Sequence, residues 1–131
     1  MRRLRPRGHA CLVRCLLVDD NGAFIETARL LLAGEGVVVA GTASSIAEAL
    51  RQASALRPDV VLVDIALGDE NGFELARRLA GSGTGAGPAV IMISTRAGAD
   101  FTDMVADCRA AGFLAKDQLS AAAIQRILGR A

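Results

Sequence analysis

Five polar residues in this 131-residue chain each follow a short apolar segment, and their types suit the handling of a phosphoryl group. They are Asp19, Asp20, Asp64, Ser94 and Lys116. In open α/β sheets, ligands bind beyond the carboxyl ends of the strands. If the four apolar segments are parallel strands, the five side chains lie together at one edge of one sheet.

Three carboxylates brought together repel each other unless one is protonated or a cation binds between them. Oxygen ligands with room for water suit Mg²⁺ in octahedral geometry. Lys116 is not a ligand for that metal, but its ammonium and the nearby Ser94 hydroxyl suit phosphoryl oxygens. The residue types therefore predict a carboxylate nucleophile, a magnesium site and a phosphate clamp.

Each of these residues also has an ordinary explanation when it is taken alone. Asp20 is able to cap a following helix, Ser94 to cap a turn, and Lys116 to be a surface lysine. A carboxylate that ends a strand, as Asp64 does, is commonly just solvated. The coincidence of all of them at successive strand ends favours a site.

The apolar spacing alternates between strand and helix five times, which predicts a single α/β domain with a parallel sheet and helices on both faces. The run before Asp64 has no polar alternation, as expected for a strand covered on both faces. A capping-box pattern, Ser45 with Glu48, begins the second helix. The predicted strands are 12–18, 37–40, 59–64, 89–93 and 113–115, and the predicted helices begin near Ala23, Ile46, Phe73, Phe101 and Leu119.

Composition excludes several classes of protein. The chain has 15 basic and 14 acidic residues, with four arginines among the first seven residues, so the remainder is mildly acidic and offers no basic face for nucleic acid. We expect residues 1–11 to be a disordered basic leader and residues 12–131 to fold. The three cysteines lack a CxxC spacing and suit buried positions in a reducing compartment. No apolar run is long enough to span a membrane. The glycine-rich segment 81–88 suits a flexible connection at the surface.

At its strand ends the sequence resembles the receiver domain of bacterial two-component response regulators, the CheY-like family. The resemblance rests on four motifs: Leu17-Val-Asp19-Asp20-Asn21, Val61-Leu-Val-Asp64, Met92-Ile-Ser94 and Gly112-Phe-Leu-Ala-Lys116. It covers about residues 12 to 130. The implied fold is flavodoxin-like, a doubly wound parallel sheet of five strand-helix units with strand order 2-1-3-4-5.

The resemblance also implies a role for each site residue. Asp64 is then the phosphoacceptor, and Lys116 contacts the phosphoryl group. Asp19, Asp20 and Asp64, with the backbone carbonyl of Ala66, hold Mg²⁺. Ser94 is the switch hydroxyl and Phe113 the switch aromatic. The implied partners are a sensor histidine kinase and an output protein, and a homodimer would form through the fourth helix, fifth strand and fifth helix. We expect the protein to work in the cytoplasm, to have no enzymatic activity, and to bind neither nucleic acid nor membrane.

Two residues depart from the usual family pattern. Gly68 replaces a proline in the loop after Asp64, which predicts a more flexible loop. Asp117 replaces the proline after the lysine, as in regulators that carry a LuxR-type DNA-binding output domain, and it disfavours a cis peptide bond there.

We expect a stand-alone receiver that signals to a protein partner. One alternative is the receiver portion of a LuxR-type transcription regulator. Another is a metal-dependent phosphatase with Asp19 or Asp64 as nucleophile, although the DxD spacing common in such enzymes is missing. A third is a degenerate receiver that binds partners without phosphate, which the complete set of site residues disfavours.

Overall fold

A computed structural model describes residues 13–80, 88–94 and 110–130. Its strands are β1 (Arg14–Val18), β2 (Val38–Ala43), β3 (Val60–Asp64), β4 (Ala66–Leu67), β5 (Glu70–Asn71), β6 (Ala89–Ser94) and β7 (Gly112–Ala115). Its helices are α1 (Gly22–Gly34), α2 (Ile46–Leu56), α3 (Gly72–Ala80) and α4 (Ala121–Arg130), with a 3₁₀ turn at Lys116–Gln118. The predicted leader, most of the glycine-rich segment and the helix predicted from Phe101 to Cys108 lie outside the described residues.

Five strands form one parallel sheet in the order β2-β1-β3-β6-β7. Since β6 and β7 are the fourth and fifth predicted strands, this order confirms the predicted 2-1-3-4-5 arrangement. The register aligns the ends that matter: Asp64 pairs with Ile93, and Ser94 pairs with Ala115. All four polar strand ends therefore lie at one edge of the sheet.

Two apolar layers cover the sheet because successive strand residues point to opposite faces. On one face, Leu62 and its neighbours pack under α1 and α4, where Leu32 and Ile124 are fully buried. On the other face, Val63 and its neighbours pack under α2 and α3, where Phe73 is 1% exposed. The whole of β3 is buried, as its unbroken apolar run predicts.

Arg14 lies in β1 because its guanidinium caps another element. Its Nη1 donates to the carbonyls of Leu56, at 2.8 Å, and Arg57, at 3.1 Å. These carbonyls belong to the C-terminal end of α2, where backbone acceptors lack helical partners and favour a positive charge. The charge that interrupts the first apolar segment thus binds the C-terminal end of the second helix.

The predicted start of the last helix at Leu119 is wrong by two residues. The Ser120 hydroxyl accepts a hydrogen bond from Ala123 N at 3.0 Å, so α4 begins at Ala121 and a 3₁₀ turn precedes it. Leu119 is still buried, at 6% exposed. The apolar spacing thus identified a core residue but not the boundary, which a serine cap decides.

The second strand is also longer than predicted, running to Ala43, while Val37 is buried just before it. The capping pattern at α2 is present in part: Ser45 Oγ accepts from Glu48 N at 3.2 Å, whereas the Glu48 carboxylate accepts from Ser44 N, at 2.9 Å, and not from Ser45 N.

Of the three cysteines, the structure describes Cys15, which is fully buried. Burial raises the pKa of its thiol to about 12. Peptide bonds in the described segments are all trans, including the one after Lys116. None of the described helices combines the length and apolar character needed to cross a membrane.

Candidate functional site

The sheet edge gathers the carboxylates of Asp19, Asp20 and Asp64. One oxygen from each lies within 4.8 Å of those of the other two. Asp19 is 1% exposed and Asp64 is 8% exposed, whereas Asp20 faces solvent. Two of the three acids are therefore largely removed from water, where uncompensated negative charge is costly.

Asn21 orients Asp19 and caps the helix that follows. Its side-chain oxygen accepts hydrogen bonds from Ala23 N at 3.0 Å and Phe24 N at 3.1 Å, so it is the N-cap of α1. Its own backbone N–H donates to Asp19 Oδ1 at 2.9 Å. Asp20 is therefore not the cap of this helix, and its carboxylate stays available to the cluster. Sequence reasoning gave Asn21 no role, although an asparagine directly before a helical pattern is a known cap signal.

Lys116 places its ammonium between the two buried acids. Its Nζ lies 2.6 Å from Asp19 Oδ2 and 3.2 Å from Asp64 Oδ2. Although this ion pair is short, Asp19 Oδ2 is buried and makes no hydrogen bond of acceptable geometry among the described residues. The lysine therefore offsets the charge of the cluster without saturating its oxygens.

The Phe24 ring lies beneath the lysine, with Lys116 Nζ 4.3 Å from the ring centroid. This distance fits a cation–π interaction. The sequence gave no signal for this contact, since Phe24 reads simply as a helix residue of the apolar stripe.

The pKa of Asp64 is raised to about 6. Burial of the carboxyl is the main cause, and the charge of Asp19 adds to it. The Ala66 N–H, which donates to Asp64 Oδ1 at 3.1 Å, and the charge of Lys116 both oppose this rise. Burial lowers the pKa of Lys116, but its contacts with Asp19 and Asp64 outweigh burial, so the net pKa is raised and the ammonium stays charged.

Ser94 and Phe113, the predicted switch residues, lie on the adjoining strands. Ser94 ends β6, is 7% exposed, and pairs with Ala115, the residue that precedes Lys116. Phe113 is half-buried in β7 and packs against the apolar layer under α2 and α3. The sheet register therefore connects Ser94 directly to the strands that carry Asp64 and Lys116.

The loop after Asp64 forms a small hairpin that the sequence did not predict. Ala66 pairs with Asn71 and Leu67 with Glu70 in an antiparallel arrangement. Gly68 at its turn has φ +60°, a conformation that glycine adopts without strain. A Cβ at Gly68 would lie 3.5 Å from Asp20 Oδ2, so the hairpin turn lies against the acidic cluster.

Comparisons with known proteins agree with this geometry. The family model described as the response regulator receiver domain matches residues 15–128. This chain belongs to that family. The receiver is 37% identical over 109 residues to a protein-glutamate methylesterase/protein-glutamine glutaminase of Bacillus licheniformis, which covers 80% of this chain and 29% of the relative.

Two further relatives come from Mycobacterium tuberculosis. The DNA-binding transcriptional activator DevR/DosR is 42% identical over 73 residues, covering 52% of the receiver and 32% of the activator. The signal receiver domain of the putative response regulator NarL, whose structure is solved, is 28% identical, with a TM-score of 0.78, covering 91% of this chain and 98% of that domain. The receiver thus spans about a third or less of the length of the methylesterase and of DevR/DosR.

The donor set fits a magnesium ion. The three acids of the receiver supply hard oxygen ligands, and the buried Asp19 Oδ2 is ion-paired with Lys116 at 2.6 Å but makes no hydrogen bond of acceptable geometry among the described residues. Burial and, after it, the charge of Asp19 raise the pKa of Asp64, so a cation at the cluster would offset unfavourable negative charge. A hard divalent cation with oxygen ligands meets each of these features. Asp20 remains exposed, which leaves room for water on that side.

Proposed function

We propose that this receiver accepts a phosphoryl group on Asp64 from the phosphohistidine of a sensor histidine kinase and signals through the resulting change in shape. The observation that carries the proposal is that Asp64 belongs to the acidic cluster and has the Lys116 ammonium 3.2 Å from its Oδ2. Membership of the receiver family supports the same role, because receiver domains take phosphate from histidine kinases and regulate output domains.

In the proposed transfer, an Asp64 carboxylate oxygen forms a bond to phosphorus while the bond from phosphorus to the donor histidine nitrogen breaks. The electron pair of that bond stays on the imidazole nitrogen, which then takes up a proton. Because only the ionised carboxylate attacks, the pKa of about 6 matters: at neutral pH most Asp64 is deprotonated, and Lys116 favours that form.

We assign the metal site to Asp19, Asp20 and Asp64 with the Ala66 carbonyl. Bound Mg²⁺ there would supply positive charge to the phosphoryl oxygens during transfer. Lys116 supplies a second cation between Asp19 and Asp64, and its contacts with both show that it reaches the two buried carboxylates. Lys116 thereby limits the repulsion between the incoming phosphoryl group and the cluster, and Mg²⁺ held by the three acids would add to this effect.

The signal passes through Ser94 and Phe113 in this proposal. A phosphoryl group adds charge and acceptor oxygens, to which the Ser94 hydroxyl and the Lys116 ammonium donate. Movement of Ser94 changes the space beside the half-buried Phe113, since the two lie on adjacent paired strands. The altered face would then bind an output protein or a second copy through the fourth helix, fifth strand and fifth helix of the family pattern.

The chain acts as phosphate acceptor and signalling module in this proposal, rather than as an enzyme, and works in the cytoplasm. Two relatives support different outputs: one is named a methylesterase and glutaminase, the other a DNA-binding transcriptional activator. The Lys116-Asp117 pair favours the second as the alternative, the receiver portion of a LuxR-type regulator. The native reading frame and its neighbouring genes distinguish a stand-alone receiver from that alternative.

Mass spectrometry after incubation with acetyl phosphate tests the proposal. The protein should gain the mass of one phosphoryl group when Mg²⁺ is present, and Asp64→Asn should remove that gain. Asp59→Asn is the matched control, because Asp59 lies just before the other end of the same strand, away from the acidic cluster. Its Oδ2 accepts a hydrogen bond from Arg14 N at 2.9 Å. Labelling that survives Asp64→Asn, or full labelling in excess EDTA, would show that the nucleophile or the metal is wrongly assigned.

A further inference from the structure

Glu70 joins the hairpin beside the acidic cluster to the start of a helix that is distant in sequence. Its Oε1 accepts a hydrogen bond from Ile46 N at 2.9 Å, across 24 positions of the chain. Ile46 is the first residue of α2, where backbone N–H groups lack helical partners and the potential is positive. The contact therefore pairs a carboxylate with a helix end that favours it.

Three side-chain contacts hold the hairpin to different parts of the fold, in addition to the hydrogen bonds that Ala66 N donates to Asp64 Oδ1 and Gly72 N donates to the Ile65 carbonyl. Leu67 is 2% exposed in the apolar layer under α2 and α3. Asn71 Oδ1 accepts from Phe73 N at 2.8 Å, which fixes the exit of the hairpin to the start of α3. Glu70 fixes the same strand to α2. Between these fixed points lies Gly68, where the family usually has a proline, so the loop itself contributes little stiffness.

We propose that Glu70 is a positioning residue for the magnesium site, and that it acts by holding the Ala66 strand of the hairpin against the cluster. Ala66 pairs across the hairpin with Asn71, and Leu67 pairs with Glu70, so a strand anchored at Glu70 also restrains Ala66. This inference rests on the proposed function, in which the Ala66 carbonyl is a metal ligand. The Glu70 contact takes over a task that the missing proline would otherwise share.

Loss of an outer partner of a metal ligand typically lowers metal affinity about 10- to 100-fold. Glu70 is exposed, and Leu67 and Asn71 remain as anchors, so we expect a smaller effect. Glu70→Ala should weaken Mg²⁺ binding roughly 3- to 10-fold. Glu70→Gln keeps an acceptor oxygen for Ile46 N and should restore most of the affinity.

Isothermal titration calorimetry with Mg²⁺ alone measures these affinities, and Glu35 provides the matched control. Glu35 Oε1 accepts from Ala121 N at 2.7 Å, so it makes the same type of contact with the first residue of α4. Glu35→Ala should lower stability in the same way but leave Mg²⁺ affinity within twofold of the wild type. An equal loss in Glu35→Ala would show a general stability effect and overturn the proposal.

The remaining outcomes also test the role proposed for Glu70. Unchanged affinity in Glu70→Ala would overturn the proposal, and equal losses in Glu70→Ala and Glu70→Gln would assign the effect to charge instead of to the hydrogen bond. Amide hydrogen exchange without metal gives a second readout: residues 66–71 should exchange faster in Glu70→Ala than in the wild type. A wild type that binds no Mg²⁺ while this exchange difference persists would overturn the metal site of the proposed function and leave Glu70 a purely structural anchor.

Discussion

In the proposed function Asp64 is a reactive carboxylate at a largely buried position, and its surroundings exert opposing effects on its pKa. Burial and the charge of Asp19 raise its pKa, whereas Ala66 N and Lys116 lower it. The outcome, about 6, leaves the group ionised at neutral pH but at a cost in stability. The site therefore trades folding free energy for a charged nucleophile, as active sites commonly do.

This balance predicts that Asp64→Asn stabilises the protein at neutral pH in EDTA. The folded-state pKa lies above the ordinary value of 3.8, so between about pH 4 and pH 6 the native state holds more protons than the unfolded state, and the free energy of unfolding falls as pH rises. Asparagine does not ionise, so the Asp64→Asn variant does not lose this free energy of unfolding as the pH rises. Since one pKa unit is about 1.4 kcal/mol, the gain above pH 7 should be at most about 3 kcal/mol and should vanish near pH 4.

Urea denaturation followed by far-UV circular dichroism measures this difference at both pH values. Asp117→Asn, at an exposed position one residue after Lys116, is the control and should change stability little. An Asp64→Asn variant that is no more stable than the wild type near neutral pH would show that burial of Asp64 is not unfavourable.

Phe24 is expected to contribute through the charge of Lys116. A cation over an aromatic ring is worth about 0.5 to 2 kcal/mol, depending on its desolvation, and Lys116 is 12% exposed in its side chain. A double-mutant cycle of Phe24→Leu and Lys116→Met should give a coupling energy of about 1 kcal/mol. Additive effects of the two substitutions would mean that the ring only fills space.

At the scale of elements, α3 begins so close to the site that only glycine fits at its first residue. A Cβ at Gly72 would lie 2.0 Å from the backbone oxygen of Asp64, whereas one at Gly22, the first residue of α1, meets no atom within 4 Å. The two positions are equivalent in their helices and differ in this contact. The start of α3 therefore fixes the backbone of the proposed phosphoacceptor.

Gly72→Ala should destabilise the protein by roughly 1 to 3 kcal/mol, the range for overpacking, and slow the labelling of Asp64 by acetyl phosphate. Gly22→Ala should be neutral or stabilising by up to about 1 kcal/mol, because alanine restricts the unfolded chain. Thermal unfolding and mass spectrometry on both variants test the pair. Equal stability of the two would mean that Asp64 does not depend on this contact.

The strands were predictable because continuous apolar runs and strand-end acids carry strong signals, and their order was implied by the resemblance to the receiver family. The hairpin of β4 and β5 was not, since strands of two residues have no periodicity. Its anchor was equally hidden: the contact of Glu70 with Ile46 N depends on the tertiary fold. The start of α4 was missed because the apolar stripe continues to Leu119 while Ser120 sets the cap. Local patterns thus located the acids, but the contacts of Lys116 with Asp19 and Asp64, and of Glu70 with Ile46 N, join chain segments far apart in sequence.

At the scale of the whole molecule, the sheet separates two apolar layers, and β7 contributes a residue to each of them. Phe113 packs toward α2 and α3, and its neighbour Leu114 packs toward α1 and α4. A shift of β7 therefore acts on both layers at once. In the proposed function, such a shift would be the two-state element that phosphorylation biases through Ser94 and Lys116.

Beryllium fluoride, which mimics an aspartyl phosphate, should consequently perturb backbone amides well beyond the metal site. NMR should show shifts from Ser94 through β7 to Leu128 in α4, because the mimic draws Ser94 and Lys116 toward Asp64 and β7 pairs with the strand that Ser94 ends. Amides in the middle of α2, which packs at the β2 side of the sheet, serve as the internal control and should move little. Shifts confined to the surroundings of Asp64 would contradict the switch. The face formed by β7 and α4 would then have the same structure with and without the phosphate mimic.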